Sequence, residues 1–145
     1  MKIKFDIQQK YKEIEIHLCG KEKNKELLDV YDTLERLLDT RLKVYKGQES
    51  KVLSPSKIVR IYSANKKVYI RTMEDSYEVK DRLYTLEELL KDRGFVRISN
   101  SEIVNSGHID RLDMSLTGTI KMCMKNGDET YVSRRYVSKI KEELL

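Results

Sequence analysis

Short stretches of alternating polar and apolar residues run through the first part of the chain and predict strands. Ile14, Ile16 and Leu18 fall on one face of a strand over residues 13–18. Apolar residues at helical spacing follow in residues 24–39, with Asn24 as the expected N-cap, and alternation returns in residues 41–46. Residues 1–47 are therefore predicted to form a small β-β-α-β segment.

The best candidate for a domain boundary is the stretch at residues 47–57, which contains the only proline of the chain. Beyond it, the pattern is mostly that of antiparallel strands. Six strands are predicted, over residues 57–63, 67–73, 76–80, 108–114, 119–125 and 129–133. Turn chemistry joins neighbouring strands, through Ala64-Asn65-Lys66 in the first pair and through the hairpin signal Asn126-Gly127 in the last.

Two short helices complete the second part, residues 53–145. The first is predicted over residues 85–94, with Thr85 and Glu88 as a capping box and Gly94 as the stop. The second closes the chain, with Ser133 as its N-cap and with Val137, Ile140 and Leu144 on one face. The predicted fold class is α+β, dominated by antiparallel strands in its second part.

Charge and composition narrow the functional class only a little. The net charge is +5, and residues 51–145 contribute most of it, with 18 basic and 14 acidic residues. Such a surplus favours polyanion binding. The chain has neither the apolar run of a membrane span nor that of a secretory signal. Cys19 and Cys123 lie far apart and are expected to be free, largely buried thiols rather than a disulfide, which is typical of a cytoplasmic protein.

Signatures of catalysis are missing from the sequence. His17 and His108 are not at metal-ligand spacing with either cysteine, and the chain has no Gly-rich phosphate loop, no activated nucleophile and no paired carboxylates. The sequence therefore predicts a binding protein rather than an enzyme, with no cofactor, no metal and no small-molecule substrate.

A polar run between apolar anchors, Phe95 to Leu112, needs an explanation. It brings together hydrogen-bonding side chains and a cation, namely Arg97, Ser99, Asn100, Ser101 and Asn105. Asn105 is expected to hold a turn, while Ser101 could bond either the backbone or a phosphate. Arg97 could contact a phosphate or form an intramolecular ion pair, and the residues alone leave both alternatives open.

Four segments in order resemble the LytTR family of bacterial DNA-binding domains. They are "IVRIYSANKKVYIRT", "YEVKDRLYTLEELL", "FVRISNSEIVN", which is similar to the family core F-x-R-x-x-x-S-x-x-V-N, and "IKMCMKNGDETYVSRRYVSKIKEEL". The resemblance covers about two thirds of the chain. It implies small antiparallel sheets with flanking short helices, whose loops enter successive major grooves of double-stranded DNA, often at direct repeats.

The resemblance also implies which side chains meet DNA. Lys66 and Lys67 lie in the first strand connection, Asn100 in the loop after Arg97, and Arg135 at the start of the last helix. Arg or Lys suits guanine O6 and N7, and an Asn amide suits adenine N6 and N7. The full set of candidate DNA contacts is Lys66, Lys67, Arg97, Asn100, Ser101, Arg134 and Arg135. The pair Ser99-Asn100 departs from the family, in which many members have His at the first of these positions.

Regulation is a further implication of the resemblance. Many relatives carry a receiver domain of about 120 residues, and only some 50 residues precede the match here, so we expect a stand-alone transcriptional regulator. Residues 1–46 are then the expected docking or dimerisation surface, with a second copy of the chain or a membrane protein encoded nearby as candidate partners. The alternative is a protein-interaction module that uses its β scaffold without binding DNA.

Overall fold

The computed structural model describes residues 1–38 and 41–145, without the side chains of residues 35–37. Contacts divide the chain into two compact units, Met1–Asp39 and Thr40–Leu145. Among the described residues, no helix has the length and apolar content that crossing a membrane requires. Cys19 and Cys123 are both free, as predicted, but Cys19 is exposed and only Cys123 is buried.

The first unit contains helix α1 (Lys25–Leu38) and no strand among its described residues. Asn24 caps the helix as predicted, because the Leu27 backbone N–H donates to Asn24 Oδ1 over 2.9 Å. The two strands predicted before the helix are wrong. Ile14, in the predicted strand over residues 13–18, is 96% exposed. Alternation produces a strand only where a neighbour supplies ladder hydrogen bonds and covers the apolar face.

The second unit is built on a seven-stranded antiparallel sheet in its described residues, with strand order β2-β1-β5-β4-β3-β7-β6. These strands are β1 (Leu42–Lys46), β2 (Glu49–Leu53), β3 (Arg60–Ala64), β4 (Lys67–Arg71), β5 (Ser76–Val79), β6 (Phe95–Ser99) and β7 (Glu102–Asn105). A second sheet in this unit has the order β10-β9-β8, formed by β8 (Ile109–Asp113), β9 (Ile120–Met124) and β10 (Glu129–Val132).

The stretch predicted as a boundary, residues 47–57, lies inside this sheet rather than between two units. Gly47, with φ +63°, turns β1 into β2, and a 3-10 helix at Pro55–Lys57 follows. The strand predicted over residues 41–46 is confirmed as β1, but it pairs with β5 through Tyr45 and Glu78 and thus belongs to the second unit. Here glycine lies in a hairpin turn and proline begins a short helix. Linkers are rich in the same two residues, so the sequence pattern alone does not distinguish them.

Two apolar cores lie on opposite faces of the large sheet. The first packs helix α2 (Leu83–Leu89) against one face, and the second packs β8–β10 and helix α3 (Arg134–Leu144) against β6 and β7. Strand β7 is buried at every position because consecutive side chains serve different cores, Ile103 the first and Val104 the second. This explains why "EIVN" does not alternate.

The ends of the two helices agree with the sequence only in part. Helix α2 begins at Leu83 after Arg82, so Thr85 lies inside the first turn and the predicted capping box is wrong. Gly94 has the predicted left-handed conformation, with φ +82°, but the helix has already ended at Leu89. Helix α3 has Ser133 as its N-cap and buries Ile140, as predicted.

Candidate nucleic-acid interface

Three segments meet at one end of the second unit: the β3–β4 turn, the β6–β7 turn and the start of α3. The Ser63 N–H donates to Ser101 O over 2.8 Å, which joins the two turns. The Ser133 N–H donates to Ile98 O over 2.9 Å, which fixes the start of α3 beside β6. These bonds bring together the three segments that the sequence predicts to meet DNA.

The β3–β4 turn presents Lys66. Asn65 and Lys66 have φ of 52° and 63°, the pair of left-handed residues that a type I′ turn requires. Lys66 is exposed, and in the described part of the chain its ammonium group has no ion pair. Lys67 is also exposed, but it lies in β4 with its Nζ 3.5 Å from Glu78 Oε2. Among the described residues, Lys66 is thus the cation of this connection that has no ion-pair partner.

Arg97 braces the β6–β7 turn from within. Its Nε and Nη2 donate to the carbonyl oxygens of Ser99 and Asn100, both over 2.7 Å, while Nη1 lies 2.6 Å from Glu87 Oε2. Only 16% of its side chain is exposed. Of the two alternatives left open by the sequence, the structure contains the intramolecular ion pair.

Asn100 and Ser101 form the turn itself, directly after Ser99 at the end of β6. The Ser101 N–H donates to Ser99 Oγ over 3.2 Å, and the two hydroxyls lie 3.3 Å apart. Asn100 and Ser101 are exposed. The hydroxyl of Tyr136, in the first turn of α3, donates to Asn100 Oδ1 over 3.2 Å. Tyr136 lies in the segment "IKMCMKNGDETYVSRRYVSKIKEEL", but no role for it follows from the sequence alone.

Arg134 and Arg135 open helix α3, and both are exposed. Within the described residues, neither guanidinium has a carboxylate partner. Arg134 lies over Gly118, whose φ is +79°, and a Cβ at that glycine would come within 3.3 Å of Arg134 Nε. Asn105, by contrast, is buried, and its side chain donates to Ile58 O and accepts from the Gly107 N–H. It holds a turn, as predicted.

A charged network that sequence analysis missed ties the two sheets together. Asp128, in the β9–β10 turn, accepts from Arg71 Nε and Nη2 and from Arg60 Nε over 2.9–3.0 Å. Arg60 also donates to Glu102 Oε1 over 2.9 Å, and Thr130 donates to Glu102 Oε2. Hydrogen bonds from Arg71, joined by one from Arg60, hold the pKa of Asp128 well below its usual range despite burial.

Comparison with known proteins agrees with this architecture. The family described as the LytTr DNA-binding domain matches residues 48–145. An uncharacterized HTH-type transcriptional regulator of Staphylococcus aureus strain MSSA476 is 33% identical over 145 residues, covering 99% of this chain and 98% of that protein. A second such regulator, from strain NCTC 8325 / PS 47, is 39% identical over 100 residues, covering 69% of this chain and 67% of its own.

A solved structure is similar as well. It is the LytTr DNA-binding domain of a Bacillus cereus protein described as a methyl-accepting/DNA response regulator. It superposes with a TM-score of 0.69 at 26% identity, covering 72% of this chain and 95% of that domain. The resemblance found in the sequence is confirmed, and the chain belongs to the LytTR family of DNA-binding domains.

Proposed function

We propose that this protein is a sequence-specific transcriptional regulator that binds double-stranded DNA through its three connected segments. The observation that carries the proposal is the clustering of Lys66, Asn100 and Arg135 on segments joined by hydrogen bonds, with both cations unpaired among the described residues. These cations have no ion pair to break and lie on segments held by hydrogen bonds. Binding phosphate or base edges therefore costs little free energy beyond the release of hydration water.

Each of these side chains has a proposed role. Arg135 and Lys66 donate to guanine O6 and N7, and Asn100 reads a base edge in the major groove. Lys67, Ser101, Arg134 and the amino end of α3 contact phosphates, which set the register on the duplex. Arg97 supports the reading turn through its bonds to the Ser99 and Asn100 carbonyls.

Loops rather than an inserted helix carry the recognition in this proposal. Strands separate every pair of consecutive helices among the described residues, so no helix-turn-helix unit is found there. Loops from different elements reach successive major grooves on one side of the duplex, and two copies bind direct repeats about one helical turn apart. Binding to chromosomal DNA would place the protein in the cytoplasm, as the sequence analysis expects.

The first unit is the proposed contact with a partner. Gln8 O accepts from the Tyr11 N–H over 3.2 Å, which closes a tight turn. Phe5 and Ile14, on the two sides of that turn, are 90% and 96% exposed and offer an apolar face to a partner. We propose that a second copy of the chain covers this face, and that a membrane-protein regulator encoded nearby competes for it.

The decisive test is selection from random duplexes with the purified full chain, followed by titration of the enriched site. We expect a repeated motif about one helical turn apart. The variant Arg135→Ala should lose about 1–3 kcal/mol of binding free energy at that site. Lys91→Ala is the matched control, because this exposed lysine precedes the opposite end of β6 and should leave affinity unchanged. Absence of any enriched sequence would contradict the proposal.

The competing function is a protein-interaction module that uses the same β scaffold, and salt distinguishes the two. A DNA reader that neutralises several phosphates loses affinity steeply as salt rises, with a slope of about −0.9 per phosphate in a plot of log K against log salt. An apolar protein interface is much less sensitive. If no DNA sequence is enriched, and binding to a protein partner depends only weakly on salt, the protein-interaction module is favoured.

A further inference from the structure

The side-chain amide of Asn100 is held by a neighbour rather than left free to rotate. Its Oδ1 accepts from the Tyr136 hydroxyl, and its backbone carbonyl accepts from Arg97 Nη2. Its Nδ2 has no hydrogen-bond partner among the residues that the structure describes. The Tyr136 ring packs against the second core, so the phenol is held in place by helix α3.

Orientation matters because the two edges of an amide have opposite hydrogen-bonding character. The nitrogen donates and the oxygen accepts, and a half rotation exchanges them. An exposed asparagine on a turn would sample both arrangements. In this structure the phenol donates and Oδ1 accepts, and that hydrogen bond favours the observed arrangement over an unbonded amide by about 2- to 12-fold. In this structure the favoured arrangement directs the oxygen to Tyr136 and leaves the nitrogen for a ligand.

We propose that Tyr136 is a specificity-determining positioning residue, which presents Asn100 to DNA as a hydrogen-bond donor. The inference rests on the proposed function and deepens it. A donor is satisfied by purine N7, guanine O6 or thymine O4, whereas cytosine offers the N4 amino group, itself a donor. The base met by Asn100 is therefore one that presents an acceptor, and cytosine at that position is rejected.

From the sequence alone adenine is the expected partner of Asn100, because an unrestrained amide can pair with both N6 and N7. The bond from Tyr136 changes that expectation, because it occupies one of the two lone pairs of Oδ1 and turns the oxygen toward Tyr136. Sites with adenine or guanine at this position should then bind with comparable affinity, since both bases offer N7 to Nδ2.

The test compares wild type, Tyr136→Phe, Asn100→Ala and the double variant. Each is titrated against four duplexes that differ only at the base pair whose preference Asn100→Ala removes in the selection. Tyr136→Phe keeps the ring in the second core, and thermal unfolding of each variant checks that the fold is retained. Wild type should bind the best duplex at least about 10-fold more tightly than the cytosine duplex, and Tyr136→Phe should reduce that ratio by about 2- to 12-fold.

The double variant separates positioning from direct contact. If Tyr136 acts through Asn100, adding Tyr136→Phe to Asn100→Ala changes no base preference. An undiminished ratio in Tyr136→Phe, or an equal loss on all four duplexes, would overturn the inference, since an equal loss means that Tyr136 itself contacts phosphate. Both results leave the proposed function standing. Failure of the wild type to enrich any sequence would overturn the proposed function and this inference together.

Discussion

Lys66 adopts a backbone conformation that residues with a side chain rarely adopt, at a place where glycine would suit the turn better. A left-handed conformation costs a residue with a Cβ about 1–2 kcal/mol, and such strain tends to persist where the side chain has a use. We predict that Lys66→Gly leaves the free energy of unfolding within about 1 kcal/mol, because relief of strain offsets the greater entropy of the unfolded chain.

DNA affinity should respond differently to the same substitution. If Lys66 reads a base edge, Lys66→Gly weakens binding to the selected site by about 1–3 kcal/mol. Denaturant unfolding and titration of one preparation measure both quantities, with Lys91→Ala as the control for loss of an exposed cation. Unchanged affinity would show that Lys66 does not contact DNA. A large loss of stability would show that its side chain supports the turn.

Asp128 makes a pH-dependent contribution to stability. Because its pKa is depressed in the folded state, its stabilisation is fully present above the unfolded pKa of about 3.9 and is lost as the pH falls from there toward the folded value. We predict that Asp128→Asn lowers the free energy of unfolding at pH 7 by about 2–4 kcal/mol, since Arg60 and Arg71 lose their shared carboxylate.

The difference in the free energy of unfolding between Asp128→Asn and wild type should then narrow as the pH is lowered below about 4. Urea unfolding of both proteins across this range measures it. Asp110→Asn is the control, because that exposed carboxylate lies 3.5 Å from Arg111 and should contribute less than about 0.5 kcal/mol. A difference that stays constant with pH would show that Asp128 acts through packing rather than through its charge.

At the scale of elements, Arg97 and Arg134 have different proposed roles in the same candidate interface. Arg97 braces the β6–β7 turn internally, whereas Arg134 is exposed at the start of α3. We predict that Arg97→Gln weakens DNA binding without changing the salt slope, because the turn is distorted while no phosphate contact is lost. Arg134→Gln should reduce the magnitude of the slope by about 1. A reduced slope in Arg97→Gln would restore the phosphate role that the sequence left open.

The elements also show where sequence periodicity succeeds. Asn126-Gly127 predicted its hairpin correctly because the turn depends on local conformation, and Gly127 has φ +89°. Periodicity failed at residues 13–18, where the same alternation had no neighbouring strand in the described residues. It also failed at Thr85 and Glu88, since the packing of Leu83 into the first core starts α2 earlier than the capping motif suggests.

Long-range pairs lie beyond what periodicity can predict. Arg60 and Asp128 are 68 positions apart in sequence, and no local pattern links them. The three interface segments were located by family resemblance, and only the structure shows that hydrogen bonds such as Ser63 to Ser101 join them. Tyr136 stood inside a recognised motif, yet its contact with Asn100 depends on how α3 packs beside β6.

At the scale of the whole molecule, the first unit exposes several large apolar side chains that a partner can cover. Ile3, Phe5, Ile14 and Ile16 are all exposed, and burial against a second copy would remove them from water. We predict that replacing these four residues with serine abolishes a concentration-dependent dimer measured by sedimentation equilibrium. A single copy of the DNA motif should still be bound normally, while cooperative binding to the repeat is lost.

The matched control replaces Val52 and Tyr84, exposed apolar residues of the second unit, and should leave the mass unchanged. If wild type and the fourfold variant have the same mass at every concentration, a partner other than a second copy must cover this surface.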